Sequence, residues 1–556
     1  MTNREIARTL DRIADILQLK EENSFKVRAY RMAANTIYNL DEDIKVYYEK
    51  NQIAEIPGIG KTVSANIIEM LEKGSSEYYQ TLTEDIPEGL LDMLLLPGMG
   101  HKTVKLIYDH LGINNREDLL KAAQEQQIRK IPGLGAKTEY NIIKGMELIN
   151  QNRGKATLGL SLPMAIEFRN YLADCPQVVQ ASIVGSVRRG KSIVGDIDIL
   201  LSGYDFAAIK SWVIAYRGIK DLNRNEMDSI GGQLDYRINF EVILVHPDSY
   251  YTALVWTTGS KSFRDQIFTG VDPSALIGLH SEETVMQKLG LDYIPPEMRE
   301  NTGEIELARQ GTLPVLVSRQ DVKGDLHIHS DWSDGGSSIQ QIAESCRQMG
   351  YAYMAITDHS KSLPISGGLN EERLAAQGVV IDEINARLND IKVLKGIEVD
   401  VLKNGELDFS DDTLNKLDIV IASIHSHFRL DKEQQTERII QAIKNPQVNI
   451  IGHLTGRLLN RRGPYEVDLP RILEAAAKHN VALEINSHPD RLDIDDFTAR
   501  KVKDYGVKVA INSDAHHYND LYMVDYGILT ARRGWLEAED IINCWDLPRL
   551  LTFLKE

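Results

Sequence analysis

Two histidines separated by a single residue, His327 and His329 in DLHIH, constrain this 556-residue chain more than any other feature. Alternate strand residues point to the same face, so both imidazoles leave a strand together. Downstream come Asp334, His359 in ITDHS, Glu398 in GIEVD, His425 in SIHSH, His453 in IGHLTG, and Asp514 with His516 in NSDAH. Each stands at or near the end of a short apolar run, where a strand or loop tip is expected. One such residue is ordinarily a satisfied polar side chain. Structural need does not account for the whole set. Imidazole and carboxylate without cysteine suit zinc, manganese or iron, and a shared carboxylate suits a cluster. A polynuclear metal site is therefore expected. Such a site supports phosphoester hydrolysis, because cations activate water near neutral pH and clamp phosphate oxygens. Arg457, Arg461 and Arg462 follow His453 in a glycine-containing loop, where a guanidinium would hold a phosphate two-pronged. The runs KVLKGIEV, IVIASI, VNIIGH, VALEIN and VKVAINS alternate with helical stretches such as LPRILEAAAKHN. That alternation predicts a parallel barrel with its site at the strand C-terminal ends.

The motifs DLHIHSDWSDG, AITDHS, GIEVD, IASIHSHF, IGHLTGRLL, EINSHPDRLDI and INSDAHH resemble the polymerase and histidinol phosphatase (PHP) family of metal-dependent phosphoesterases. The likeness spans about Lys323 to Ala531. It implies a (β/α)7-type barrel holding three ions, Mn²⁺ or Zn²⁺. The implied ligands are His327, His329, Asp334, His359, Glu398, His425, His453, Asp514 and His516, with Glu398 bridging two ions. Glu398 and His425 are also placed in the catalytic machinery. His488 is expected at the surface, or at most as a phosphate contact.

Three near-copies stand upstream: IPGIGKTVSANI from Ile56, LPGMGHKTVKLI from Leu96 and IPGLGAKTEYNI from Ile131. Each has an apolar lead, Pro-Gly-x-Gly and then an amphipathic helix. Glycine there leaves amides free at a helix N-terminus, where phosphate binds. The pattern resembles the helix-hairpin-helix motif. That likeness implies contact with DNA backbone, positioning without base readout. The expected DNA-binding residues are Gly58, Gly60, Gly98, Gly100, Gly133 and Gly135. Lys61, Lys102 and Lys137 flank the loops, and His101 is read as a loop residue.

Between these regions, GSVRRGKSIVGDIDILL places Asp196 and Asp198 on one face of a strand and Ile197 and Ile199 on the other. Paired carboxylates at that spacing suit Mg²⁺ shared with substrate phosphates. Ser186, Arg188 and Arg189 are candidates to meet a triphosphate. Residues 1 to about 315 resemble family X DNA polymerases, and the whole chain resembles their bacterial branch with a PHP nuclease appended. The likeness implies Asp196 and Asp198 as ligands to Mg²⁺ or Mn²⁺ and as catalytic residues. It also implies Ser186 and Arg189 at the nucleotide phosphates, and Gly259 and Ser260 near the incoming sugar. The third catalytic carboxylate is Glu241 where the family has aspartate, one methylene longer. Asn239 replaces an arginine, Trp256-Thr257 replaces an aromatic pair, and the stretch after Ser260 is short. A polymerase with weakened activity is expected beside an intact nuclease. Asn66 replaces a lysine used by some relatives for lyase chemistry and forms no Schiff base.

The expected organisation is a helical module at 1–74, helix-hairpin-helix fingers at 75–153, an α/β nucleotidyltransferase-type palm at 154–245, a reduced thumb at 246–315, a linker at 316–324 and the PHP domain at 325–556. No run of eighteen apolar residues predicts a membrane span. Cys175, Cys346 and Cys544 are widely spaced and form no metal motif, which suits a reducing cytoplasm. The net charge is −18, yet residues 1–155 carry 21 basic against 23 acidic side chains. The acidity thus lies mainly beyond the repeats, where bound cations would offset it. DNA binding through local loops, with marked salt sensitivity, is expected. The leading reading is a monomeric DNA repair enzyme acting on gapped duplex and 3′ ends with dNTP as co-substrate. A small-molecule phosphatase of histidinol-phosphate type and a non-catalytic DNA-end scaffold are the alternatives.

Overall fold

The computed structural model describes every residue except 2, 39, 41, 57, 95, 97, 98, 152, 153 and 556. It falls into two compact units, Met1–Gln151 and Asn152–Glu556.

The described residues of the first unit form helices joined by turns, with no strand among them. Helix Asn3–Leu19 buries Ile6, Leu10, Ile13 and Leu17, a three-to-four-residue spacing that gives one apolar face. Helices Lys61–Lys73, His101–Leu111 and Ala136–Gln151 each start directly after the second glycine of a repeat. Ile56, Ile59, Leu96, Met99 and Ile131 are buried and anchor the loops to the core. Gly58 and Gly133 have φ of +81° and +86°, the left-handed region that glycine adopts without a Cβ penalty. Gly58, Gly60, Gly100, Gly133 and Gly135 are exposed, as are Lys61, Lys102 and Lys137; Gly98 lies outside the described residues. His101 is not a plain loop residue. It heads its helix, and its Nε2 lies 2.9 Å from Asp15 Oδ1.

The second unit opens with a short antiparallel pair, β1 (Ala156–Thr157) and β3 (Ile193–Val194). The palm sheet contains β2 (Val178–Ile183), β4 (Asp196–Gly203), β5 (Ile219–Asn225), β6 (Ser229–Leu234) and β7 (Asn239–Val245), ordered β2-β4-β7-β6-β5. Only β4 and β7 run parallel, which sets Asp198 beside Glu241. Helices Leu158–Ala173 and Phe206–Ile214 supply Phe168, Leu172, Ile209 and Val213 to the core under the sheet.

Residues 246–315 contain helices and no strand among the described residues. They have their own core around Val255, Phe263, Met286 and Ile294. At its edge Glu282 is buried and accepts from Arg299 Nη1 at 2.6 Å and from both Arg188 Nη groups at 3.0 and 2.6 Å. Burial raises the Glu282 carboxyl, but the Arg299 and Arg188 charges outweigh it and hold it below the ordinary value. A carboxyl lowered on folding contributes stability that is complete above its unfolded pKa and is lost as pH falls through the folded one. Glu282→Gln is expected to cost about 3 kcal/mol at neutral pH. Thermal melting followed down to about pH 4 should then show a smaller acid loss in the variant than in the parent.

The stretch 316–324 is not a free linker. Val317 is fully buried, its N–H donates to Leu536 O at 3.0 Å, and the Lys323 N–H donates to Asn543 O at 2.8 Å. It leads into seven parallel strands: β8 (Gly324–Ile328), β9 (Tyr353–Ile356), β10 (Lys392–Asp400), β11 (Ile419–Ser423), β12 (Ile450–Ile451), β13 (Ala482–Asn486) and β14 (Val509–Asn512). They are paired in chain order, and a parallel bridge from Ile328 to Ala515 brings the two ends together. The His329 N–H donates to Ala515 O at 2.8 Å across that seam.

Barrel and palm share one apolar cluster. Leu492, Met523 and Tyr526 pack with Phe168, Val187 and Ile197. A Cβ on Gly159 would come within 2.3 Å of the Pro489 ring. Arg533 donates to Arg189 O at 2.9 Å and to Glu300 at 3.0 Å, while Arg532 donates to Glu297 at 2.7 Å.

Candidate functional site

The barrel strands are short apolar runs that end where polar side chains begin, so their C-terminal ends collect the histidines. β8 supplies His327 and its continuation His329; β10 supplies Glu398; His359, His425, His453, Asp514 and His516 follow β9, β11, β12 and β14. Glu398 is the centre. Its Oε1 lies 3.5, 3.3 and 3.0 Å from Nε2 of His327, His425 and His453. Its Oε2 lies 3.7 Å from His329 Nε2 and 2.7 Å from His359 Nδ1. Asp514 Oδ1 lies 3.1 Å from His329 Nε2 and 3.7 Å from His327 Nε2. Asp334 reaches His359 Nε2 at 3.6 Å and His516 Nε2 at 3.5 Å. All nine expected residues therefore converge.

The donor set fits metal ions. His329–Asp334–His359–His516, His327–His329–Asp514 and His359–Glu398–His425 each offer ligand atoms within 4.8 Å of one another. His327 Nε2, both ring nitrogens of His329, His359 Nδ1, Glu398 Oε2 and His425 Nδ1 are buried without a hydrogen bond. Buried polar atoms are costly when unpaired, so this many aimed at one point indicates cations as their partners. Burial, then the charges of His516 and His359, push His329 down to about 3, which keeps its imidazole neutral for ligation. Burial raises Glu398, but His425, His359 and His327 overcome it and hold the carboxylate ionised, well below its usual range. His453 and Asp514 have φ of +24° and +54°, backbone strain concentrated at the cluster.

Glu484, buried on β13, does not appear among the expected residues. Its Oε1 lies 2.7 Å from His327 Nδ1 and accepts from Asn512 Nδ2 at 2.9 Å; its Oε2 accepts the His453 N–H at 2.8 Å. A carboxylate on the far nitrogen fixes a ligand histidine's tautomer and orientation. Glu484→Gln is expected to weaken metal retention by about ten- to a hundredfold. Metal content after dialysis against graded chelator measures this, and parental retention would remove Glu484 from the role. In sequence, VALEIN reads only as a strand whose two polar residues, Glu484 and Asn486, fall two apart.

The three loop arginines divide. Arg457 is not an open guanidinium: it donates to Arg491 O at 2.9 Å and to Leu492 O, so it braces the loop after β13. Arg461 is exposed, 3.4 Å from Asp490. Arg462 lies over the Phe428 ring at 4.2 Å and donates through Nε to Gly456 O at 2.8 Å. His488 is half-buried rather than a surface residue; its Nδ1 accepts the Asp490 N–H at 3.2 Å.

In the palm, Asp196 and Asp198 project from β4, and Glu241 lies beside Asp198 on β7. Burial first, then the charges of Asp196 and Glu241, raise Asp198 to about 7. The three carboxylates do not form a group within 4.8 Å among the described residues, and Glu241 Oε1 is taken by Arg224 of β5. Gly185 has φ of +61°, and a Cβ there would stand 1.9 Å from Asp198 Oδ2. The Ser186 hydroxyl is buried without a partner. Arg189 is not the open fork expected: it is buried, with Nε donating to Glu300 at 2.9 Å and Nη1 to Thr258 O at 2.8 Å. Arg188 is spent on Glu282. Gly259 packs against Phe263, and the Ser260 Oγ caps the next helix by accepting the Phe263 N–H at 3.2 Å. In the first unit, Asn66 Nδ2 donates to the Tyr30 hydroxyl at 2.6 Å.

Three family matches follow the same order along the chain: a helix-hairpin-helix domain at residues 1–76, a SAM-like helix-hairpin-helix tandem at 90–147 and a PHP domain at 325–488. A probable phosphatase of Caldanaerobacter subterraneus subsp. tengcongensis is 34% identical over 245 residues, covering 42% of this chain and 91% of its own. A probable phosphatase of Thermoanaerobacter pseudethanolicus is 31% identical over 243 residues, covering 42% of this chain and 94% of its own. The DNA polymerase/3′-5′ exonuclease PolX of Bacillus subtilis is 34% identical over 572 residues, covering 100% of both chains. With that likeness running from end to end through repeats, palm and barrel, the chain belongs to the PolX family.

Proposed function

We propose that this protein removes nucleotides from DNA 3′ ends at the barrel cluster and fills short gaps at the palm. The observation that carries the first half is Glu398, with five imidazoles within 2.7 to 3.7 Å of its two oxygens. His327, His329, Asp334, His359, Glu398, His425, His453, Asp514 and His516 would hold a cluster of Mn²⁺ or Zn²⁺. When bound, the cations supply water activation and neutralise phosphate charge. Glu398 keeps the cluster's geometry, Glu484 holds His327 in register, and the barrel mouth receives the strand end. Residues 1–74 and 75–153 bind DNA backbone through the exposed glycine loops. Residues 154–245 and 246–315 form palm and thumb, with Asp196, Asp198 and Glu241 around Mg²⁺ or Mn²⁺ and Ser186 at the dNTP phosphates. The Arg224 contact on Glu241 and the extra methylene support slow extension. One chain carries both sites and acts as a monomer.

The test uses one gapped duplex with a labelled 3′ end, offered to the full-length protein with Mn²⁺, Zn²⁺ or Mg²⁺, with and without dNTPs. Stepwise 3′ shortening without dNTPs and limited extension with them are expected. Hydrolysis of histidinol phosphate with the labelled strand left intact would replace this reading by the phosphatase one, which the barrel-only relatives favour.

A further inference from the structure

A chain of buried hydrogen bonds runs from the turn Ile542–Cys544 to the metal cluster. Asn543 in that turn bridges the barrel seam. Its Nδ2 donates to Gly324 O of β8 at 3.0 Å and to Ile511 O of β14 at 2.9 Å, and its Oδ1 accepts the Ile511 N–H at 2.8 Å. The same Nδ2 reaches Asn512 Oδ1 at 3.1 Å, and that oxygen also accepts the Leu326 N–H at 3.2 Å. With two donors on its oxygen, the Asn512 amide has one workable orientation, which turns its Nδ2 to Glu484 Oε1 at 2.9 Å. Glu484 Oε1 in turn stands 2.7 Å from His327 Nδ1. A carboxylate only accepts, so Nδ1 bears the hydrogen and Nε2 is left to ligate. That Nε2 is buried without a hydrogen bond and faces Glu398 and Asp514. Asn543, Asn512, Glu484 and His327 are all fully buried, so none exchanges its partner for solvent. Turning the Asn512 amide over would set oxygen against the Glu484 carboxylate and NH2 against the Leu326 N–H.

We propose that Asn512 and Asn543 are positioning residues of the metal cluster: they hold Glu484 in the one orientation that fixes the tautomer and ring angle of His327. The proposal rests on the metal-binding reading of the barrel. It extends that site to a turn that follows the last ligand, His516, in the chain and reaches His327 through two intermediates.

Asn512→Asp, Asn543→Ser and Glu484→Gln, singly and in pairs, test it in the full-length protein through Mn²⁺ and Co²⁺ binding. Aspartate keeps the shape of Asn512 but sets an oxygen against Glu484 Oε1. Asn512→Asp is expected to weaken ion retention against chelator by about ten- to a hundredfold and to change the visible absorption of the Co²⁺-loaded protein. Asn543→Ser leaves Asn512 and Glu484 in place and is expected to give a smaller loss in the same direction, which keeps the test decisive should Asn512→Asp fold poorly. A double-mutant cycle separates positioning from plain structural support. With Glu484→Gln already present, either asparagine variant is expected to add less than about a threefold further loss, because its effect passes through Glu484, whereas independent structural effects would multiply in full. Parental ion retention in both asparagine variants, or full multiplication with Glu484→Gln, would overturn the proposal. If that happens while the parent loads ions and shortens DNA, the hydrolytic reading of the barrel stands without the asparagines. A parent that loads no ion would sink both.

Discussion

His327→Ala is expected to reduce removal of 3′ nucleotides by roughly a thousandfold or more, the rate equivalent of losing several kcal/mol of charge stabilisation. His327 is fully buried, and its ring reaches Glu398, Asp514 and Glu484 from one position. Its loss removes a ligand atom from the His327–His329–Asp514 group and leaves Glu484 facing a void. Metal analysis should show fewer ions per chain, while gap filling at the palm continues. Parental hydrolysis by the variant would mean that the barrel cluster is not where DNA is cut.

Gly185→Ala is expected to cut extension by about a hundredfold, the usual effect of misplacing a catalytic group by about 1 Å. Two effects coincide there. The backbone has φ of +61°, and the new methyl would land 1.9 Å from Asp198 Oδ2. Asp198 cannot yield freely, because it lies on the buried strand β4 between β2 and β7. Single-nucleotide incorporation on gapped DNA measures the loss, with 3′ hydrolysis by the same preparation as the control for folding. Extension at the parental rate would detach Asp198 from nucleotide transfer.

What was legible in the sequence followed local rules. His327 and His329 are two apart on a strand, and the other ligands mark strand ends, so periodicity alone located the barrel mouth. The glycine repeats likewise announced their helices, because each helix begins at a fixed offset from its glycine pair. What was not legible depends on partners far along the chain. Glu484 looks like any buried polar residue in VALEIN until β13 brings it to His327. Arg457, Arg461 and Arg462 are equivalent on paper; only the folded loops show that Arg457 is consumed by the carbonyls of Arg491 and Leu492. Arg189 reads as an open phosphate binder because neither Glu300 nor Arg533 is near it in sequence. The stretch 316–324 looks like a tether, since its pairing with residues around Leu536 and Asn543 has no local signature.

The apolar cluster that joins Leu492, Met523 and Tyr526 to Phe168 and Ile197 has a practical outcome for anyone dividing the gene. Severed before Gly324, the C-terminal piece would carry an oily scar and the N-terminal piece a half-empty interior, and both invite clumping. Heat should likewise melt residues 152–556 in one cooperative step, so damage on the extending side is felt on the trimming side through shared solidity, without any signal passing between them.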